Sequence, residues 1–481
     1  MNLNKSCSQY MEFLVILSLS FLFQFVMSRS LTPLVLSEGY DSVIFKQMGL
    51  SILQGKELYT DLFDHKGPII FFVNAIGQWL ISGKMGLFVL YSVYISFVLY
   101  LWYKISRLFV ENRVAAMAPV ILGLLFLYMA SNEDNETEDW SLLSITYALY
   151  LFSKFYQKNH VITRKEYFFL GIGMGIVVFM RINNMVVNCC VIFVLAITFL
   201  QKHRLSDLKN MIIYVVYGML LITVLVFIVM FAFYGRHGVE QMIYGTFTYN
   251  FEYMGAVSQA VAPDRGQWYV RFGLSVAFFI VALYIKYKND LLPHLLLFCY
   301  LATFIAIGTK GWLNYFILFS PLFAISAAAL NVGLNKWVRH SIVLVMLVYL
   351  GKPFIDRIRS NEDELAVFYQ RAHEIMSHMG AEERGCIWNH AHFTGLSVLQ
   401  KEGLTQANRV MLDFQWEISE KLKQGELERF ETIKPPYVFM TTKIEDEPNL
   451  YDTKRIVENY ELMEQVEVGA RLFVYKKVRN W

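Results

Sequence analysis

The chain has 481 residues, of which 56% are hydrophobic, 16% aromatic and only 17% charged, with a formal net charge of +3. Ordinary soluble domains hold about 45–50% apolar residues, so this composition reads as a polytopic membrane protein carrying a polar tail. From Asp356 onward 22 acidic residues stand against 17 basic ones. The positive excess therefore lies upstream, in short loops, and no basic cluster with interleaved aromatics points to nucleic acid.

Hydrophobic runs near the length of about 20 residues that spans a bilayer recur down to residue 352. The first, Met11–Met27, follows Lys5 and lacks a small-residue cleavage site. It is read as a retained span rather than a signal peptide. The candidate spans are 11–29, 86–106, 114–130, 141–157, 167–181, 184–200, 211–234, 269–286, 291–308, 312–330 and 338–352. Gly67–Ser82 is apolar but short, and holds Asn74 and Gln78. It is expected to lie along the interface rather than to cross.

Alternate connectors are basic. One holds Lys104, Arg107 and Arg113, the next Lys154, Lys158, Arg164 and Lys165, and a third Lys202, Arg204 and Lys209. Lys286 and Lys288 follow, then Lys336 and Arg339. By the positive-inside rule these are cytoplasmic. The N-terminus is then inside and the tail outside, with about eleven spans. The outward connectors are 31–84, the acidic run 131–139, 181–184, the long loop 235–268 and 309–311, and most chemically interesting residues fall on that side. The tail mixes periods. Strands are expected at 386–390, 409–413, 437–441 and 470–477, and helices at 361–378, 392–401, 415–430 and 450–460, which makes a small α/β domain. The division is a transmembrane domain over 1–352, with the outer loop 31–84, and an extracytoplasmic domain over 353–481.

Ionisable residues at a bilayer edge are costly unless they have partners or work to do. Asp41 follows the first span by about a dozen residues. It is either a solvated loop acid or a general base for an attacking hydroxyl. Asp64, His65 and Lys66 precede Gly67 and Pro68, a pair suited to a helix start. Lys66 can neutralise a lipid phosphate or simply snorkel, and His65 is more simply a hydrogen-bonding residue than a metal ligand. Asn135 and Glu138 lie in an acidic run that leads straight into a span, so Glu138 begins a helix on the same side as Asp41. Arg181 beside Asn183 makes a fork for phosphate or sugar hydroxyls, with snorkelling as the plain alternative. The same choice applies to Lys310, which precedes Tyr315. Arg236, His237 and Arg265 are weaker phosphate candidates. The five cysteines, Cys7, Cys189, Cys190, Cys299 and Cys386, form no C-x-x-C, so neither a disulfide framework nor a thiolate zinc site is indicated. No P-loop, H-E-x-x-H or G-x-S-x-G occurs.

The stretch Gly49–Pro68, G-x-x-x-x-x-G-K-x-x-Y-x-D-x-F-D-H-K-G-P, with Asp41 before it, resembles the bacterial branch of the GT-C glycosyltransferases. That branch includes glycosyltransferase family 39, the protein O-mannosyltransferases and the lipid A aminoarabinose transferase. Asn135-Glu136-Thr137-Glu138 resembles the N-x-T-E that the branch carries before a later span. Arg181-Ile182-Asn183-Asn184 and Gly311-Trp312-Leu313-Asn314-Tyr315 resemble its later motifs more loosely. The family's late motif often has a His-Tyr pair where this chain has Asn314-Tyr315, and an acidic pair where Asp41 is followed by Ser42.

The resemblance implies an α-helical polytopic GT-C fold with a small C-terminal α/β domain. It implies Asp41 as the general base and Lys66 as the contact to the lipid phosphate. With the reading of the residues above, Glu138 joins Asp41 as a catalytic candidate, and Asp64, His65, Lys66, Asn135, Arg181, Asn183, Lys310 and Tyr315 are the substrate-binding candidates. The expected partners are a polyprenyl-phosphate sugar donor and a lipid, protein or envelope-glycan acceptor, at the outer face of a bacterial cytoplasmic membrane. A divalent cation is a candidate cofactor with no assigned ligands. The competing functions are a transporter or flippase, which would want charges near the midplane, a surface-polysaccharide polymerase or ligase, and a membrane anchor for the tail.

Overall fold

In the computed structural model the described residues are 2–28, 30–131, 134–256, 265–287, 290–307, 312–331, 362–409, 420–443, 456, 458–468 and 470–478. The expected span at 338–352, most of the expected strand at 409–413 and the first part of the helix expected at 450–460 lie outside them. The chain forms two compact units. The first takes in 1–28, 89–227 and 261–359, and the second 29–88, 228–260 and 360–481.

The first unit is helical. It contains α1 (Asn2–Met27), most of α4 (Lys84–Phe109), α5 (Met117–Ala130), α6 (Thr137–Lys158), α7 (Arg164–Val178), α8 (Val186–Gln201) and the first half of α9 (Leu205–Ile243). After α10 (Tyr249–Ala256), which belongs to the second unit, come α11 (Arg265–Tyr287), α12 (Leu291–Ile307) and α13 (Ser320–Asn331). Among the described residues five helical stretches are long and apolar enough to cross a membrane: Gln9–Met27, Lys84–Phe109, Ile182–Gln201, Leu205–Glu252 and Leu313–Leu330. Pro68–Leu80, Met117–Ala130 and Leu291–Ile307 are apolar but shorter. Several polar contacts between helices of this unit use serine or threonine. Ser20 Oγ donates to Ser92 O at 2.7 Å, Trp102 Nε1 to Thr146 Oγ1 at 3.0 Å and Asn188 Nδ2 to Ser144 Oγ at 3.0 Å. In a medium without water such groups need partners within the protein.

Of the loop expected over 235–268, the described residues 235–256 and 265–268 are helical. α9 runs on past Gly235, whose φ of 64° and ψ of −159° kink it, and continues through a π-turn at Tyr244–Thr248 into α10. Glycine tolerates that dihedral where other residues would be strained. Arg236, a phosphate candidate from sequence, forms an i,i+4 ion pair with Glu240 on this helix, 2.8 Å long.

The second unit joins a helical hairpin to the tail. α2 (Tyr40–Leu53) and α3 (Pro68–Leu80) pack closely. Pro68 occupies the first turn of α3, where a missing N–H costs nothing. Gly49 allows the approach, because a Cβ there would lie 2.7 Å from Ala75 N and from Asn74 C.

The tail is a four-stranded sheet in the order β1-β2-β4-β3, built from β1 (Ile387–His390), β2 (Tyr437–Met440), β3 (Tyr460–Val468) and β4 (Ala470–Lys477). β1 and β2 are parallel, and the other two pairings are antiparallel. Alternation along the strands fills two cores. Ile387, Phe439, Leu472 and Val474 pack with Phe368 and Met376 of α14 (Glu362–Ser377) and with Val398 of α16 (His392–Lys401). Trp388, Val438, Phe473 and Tyr475 pack with Phe430 of α17 (Glu420–Ile433). The short α15 (Ala381–Arg384) leads into β1.

Placing a branched side chain at Gly49 tests the hairpin. Gly49→Val forces α2 from the α3 backbone and is expected to cost about 1–3 kcal/mol, read as a lowered midpoint of thermal unfolding in detergent.

Candidate functional site

In the second unit the first loop is a tightly bonded turn between α2 and α3. Asp41 sits in the first turn of α2, half-buried, after Gly39 at the N-cap position. The free N–H groups and dipole of a helix start favour a carboxylate there. Deeper in the same helix Lys46 is almost fully buried and is ion-paired with Glu38, while Gln78 Nε2 donates to Lys46 O at 2.8 Å.

Lys66 is 7% exposed. Its ammonium lies 3.6 Å from Asp64 Oδ1 and 5.8 Å from the centre of the Phe45 ring. Asp64 Oδ1 also accepts from Lys66 N at 2.9 Å, an Asx-type turn that folds the loop back on itself. The half-buried His65 has its ring 6.1 Å from that of Tyr249, and its carbonyl accepts from Asn250 Nδ2 at 3.0 Å. The loop thus presents one cation beside one carboxylate, at the start of α3, in surroundings that strengthen electrostatic contacts. Lys56 lies in the same loop. Its pKa is lowered, first by burial and then by the Arg429 guanidinium, with Asp61 acting against both.

In the first unit Glu138 and Arg181 meet. Arg181 Nη1 donates to Glu138 Oε1 at 2.6 Å, with Glu138 1% exposed and Arg181 19%. Arg181 Nη2 donates to the Tyr315 hydroxyl at 2.6 Å, and the guanidinium carbon lies 4.4 Å from the Tyr315 ring centre. Thr137 Oγ1 completes the carboxylate at 2.9 Å. Three segments far apart in sequence thus converge on one ion pair. α6 begins here because Asp139 Oδ2 accepts from Glu136 N at 3.1 Å, which caps the helix start.

Asn135 is fully buried and accepts from Trp140 Nε1 at 2.9 Å, so its side chain braces the helix entry. Asn183 is exposed on the short 3-10 turn Ile182–Met185. Its neighbour Asn184 is the amide that turns inward, donating to Ser141 Oγ at 3.0 Å. Lys310 lies outside the described residues. Two features were not picked out from sequence. The Lys46–Glu38 pair was missed although the i, i+8 spacing across a helix start could have suggested it. Arg409, described below, carries no local signal at all.

Among the described residues no group of three or more His, Cys, Asp or Glu gathers to hold a metal ion. The divalent cation considered from sequence finds no ligand set there, and no step below runs through one.

No protein-family model matches the sequence, and no curated protein does. The fold is similar to that of two solved structures. ArnT from Cupriavidus metallidurans, in its apo state, superposes with a TM-score of 0.60 over 98% of both chains, at 11% identity. The apo oligosaccharyltransferase of Archaeoglobus fulgidus superposes with a TM-score of 0.54, over 92% of this chain and 71% of that one, at 13% identity. At such identities the likeness is one of fold.

The Glu138–Arg181 pair is testable as a unit. Removing one partner of a buried pair leaves a stranded charge. Arg181→Ala and Glu138→Ala together are expected to cost less than the sum of the single changes, with a coupling of about 0.5–3 kcal/mol in unfolding measurements. Simple additivity would mean that the pair contributes nothing.

Proposed function

We propose that the protein is a glycosyltransferase that moves a sugar from a polyprenyl-phosphate donor to an acceptor hydroxyl. The reaction would take place at the outer face of a bacterial cytoplasmic membrane, with inversion at the anomeric carbon. The observation that carries this reading is the first loop. It sets a half-buried carboxylate, Asp41, at one helix start and a nearly buried cation, Lys66, at the next. The likeness of fold supports it, because one of the similar structures is named an oligosaccharyltransferase. So does the resemblance of Gly49–Pro68 to the family's first-loop motif.

In this reading the acceptor oxygen attacks the anomeric carbon and its proton passes to Asp41. The bond from that carbon to the phosphate oxygen breaks, and the electron pair leaves with polyprenyl phosphate. A single displacement inverts the carbon. Lys66 stabilises the charge that grows on the leaving phosphate, where a preorganised cation is worth most. Arg181, held by Glu138 and Tyr315, is a second phosphate or sugar contact, with Lys310 as a third candidate. Asp41 is partly exposed, as an acid that meets an acceptor hydroxyl must be. The acceptor class, whether lipid, protein or envelope glycan, is set by the acceptor surface and not by this chemistry.

Transfer from a panel of radiolabelled polyprenyl-phosphate sugars, with the protein in lipid, tests the reading. The wild type is expected to transfer or hydrolyse one donor. Asp41→Asn should lose about 10²–10⁴-fold, the usual contribution of a general base. Equal rates in the two proteins would remove Asp41 from the mechanism. If no donor is turned over by folded wild-type protein, weight moves to a transporter.

A further inference from the structure

Within the second unit the tail grips the first loop through the strap 403–409. Gln54 Nε2 donates to Gly403 O at 2.9 Å, Thr405 Oγ1 to Gln54 Oε1 at 2.9 Å and Lys56 Nζ to Gln406 O at 3.2 Å. The strap is itself fastened to the sheet. Asn389 N, in β1, donates to Asn408 Oδ1 at 2.9 Å, and Asn408 Nδ2 returns a bond to Asn389 O at 3.0 Å. Asn389 Nδ2 donates to Gln406 Oε1 at 3.1 Å. All three amides are buried. A satisfied buried network of this kind specifies one conformation.

Arg409 ends the strap. Its Nε donates to Tyr59 O at 3.1 Å, and its Nη2 reaches the same oxygen and, at 3.3 Å, Gln241 Oε1. Its guanidinium carbon lies 5.3 Å from the Phe63 ring centre, and Phe63 N donates to Arg409 O at 2.7 Å. Glu426 Oε2 accepts from Arg409 N at 3.0 Å, so the arginine is fixed at its backbone as well.

Tyr59 is the other half of the connection. Its φ of 65° is left-handed, a conformation an L-residue holds only when its surroundings enforce it. The arginine fork and the bond from Tyr59 N to Leu62 O at 2.8 Å do so. The Tyr59 hydroxyl, fully buried, donates to Lys66 O at 2.8 Å. Burial raises the phenol's pKa well above its ordinary value, so it keeps the proton that it donates.

We infer that Arg409 is a positioning residue that sets Lys66 through Tyr59, so that the tail helps to build the lipid-phosphate subsite. This rests on the reading of Lys66 as the donor's phosphate contact. Arg409 need not touch substrate. It fixes the Tyr59 backbone, the Tyr59 hydroxyl fixes the Lys66 carbonyl, and the ammonium is thereby held at the start of α3. A flexible lysine would recognise phosphate as a diffuse charge, whereas a held one costs less ordering on binding.

The test compares binding of polyprenyl phosphate and of the neutral polyprenol of equal chain length to the full chain in lipid nanodiscs. The wild type should prefer the phosphate. Lys66→Met should abolish the preference. Tyr59→Phe, which removes one hydroxyl and keeps the ring, should weaken phosphate binding about fivefold, the worth of about one hydrogen bond, with polyprenol binding unchanged. Arg409→Lys should do the same, since an ammonium cannot reproduce the fork. Thermal unfolding of each variant confirms that it is folded. If Lys66→Met loses the preference while Tyr59→Phe and Arg409→Lys keep it, the inference fails and the donor reading stands. If both lipids weaken equally in the Tyr59 and Arg409 variants, their role is general structure and the inference fails again. If the wild type shows no preference, or Lys66→Met retains it, the donor reading itself falls and takes the inference with it.

Discussion

Glu138 is 1% exposed and sits 2.6 Å from Arg181. A carboxylate so buried is tolerable only when a cation and further hydrogen bonds replace its water. The same requirement recurs in the second unit, where Lys46 is paired with Glu38 and Lys66 lies beside Asp64. Each pair ties together pieces of chain. Glu138 opens α6, Arg181 follows α7, and Tyr315 stands on the turn before α13. In the second unit the pairs organise the entry to α2 and the entry to α3. Charge placed near a bilayer thus fixes helix starts first, and any chemistry it does is built on those fixed positions.

The two cationic centres differ in how they are held. Arg181 is stacked and doubly hydrogen-bonded, so its guanidinium has a defined plane. Lys66 is a point charge with a longer contact to Asp64, 3.6 Å, and its position is set mainly through its backbone. A planar fork suits oriented recognition, and a held point charge suits charge that grows on one group.

Much of this was legible in the sequence, for a physical reason. Helices that meet lipid are apolar throughout, and the first loop stood out because charge is rare in such a chain. The interfacial segment expected over 67–82 is helical over Pro68–Leu80, since a proline start and short length mark both its beginning and its limit. Other features were hidden. Strand β3, Tyr460–Val468, was not expected, because Glu461, Glu464 and Glu467 break its apolar pattern and most of its side chains are exposed. The helical continuation beyond Gly235 was not expected either. Spacing alone cannot say which amide of a 3-10 turn faces inward, and here it is Asn184. The Arg409–Tyr59 contact was invisible because it joins residues 350 apart in sequence, and no local pattern encodes a contact of that range.

The most direct test of the account asks where a lipid phosphate sits. A polyprenyl phosphate carrying a photoreactive group next to the phosphate would be crosslinked to the wild-type protein in lipid. The labelled peptide would then be mapped by mass spectrometry. The account predicts label within the first loop, 54–67, competed away by unlabelled polyprenyl phosphate but not by polyprenol. Label confined to other segments, or label in the loop that polyprenol displaces equally well, would contradict it.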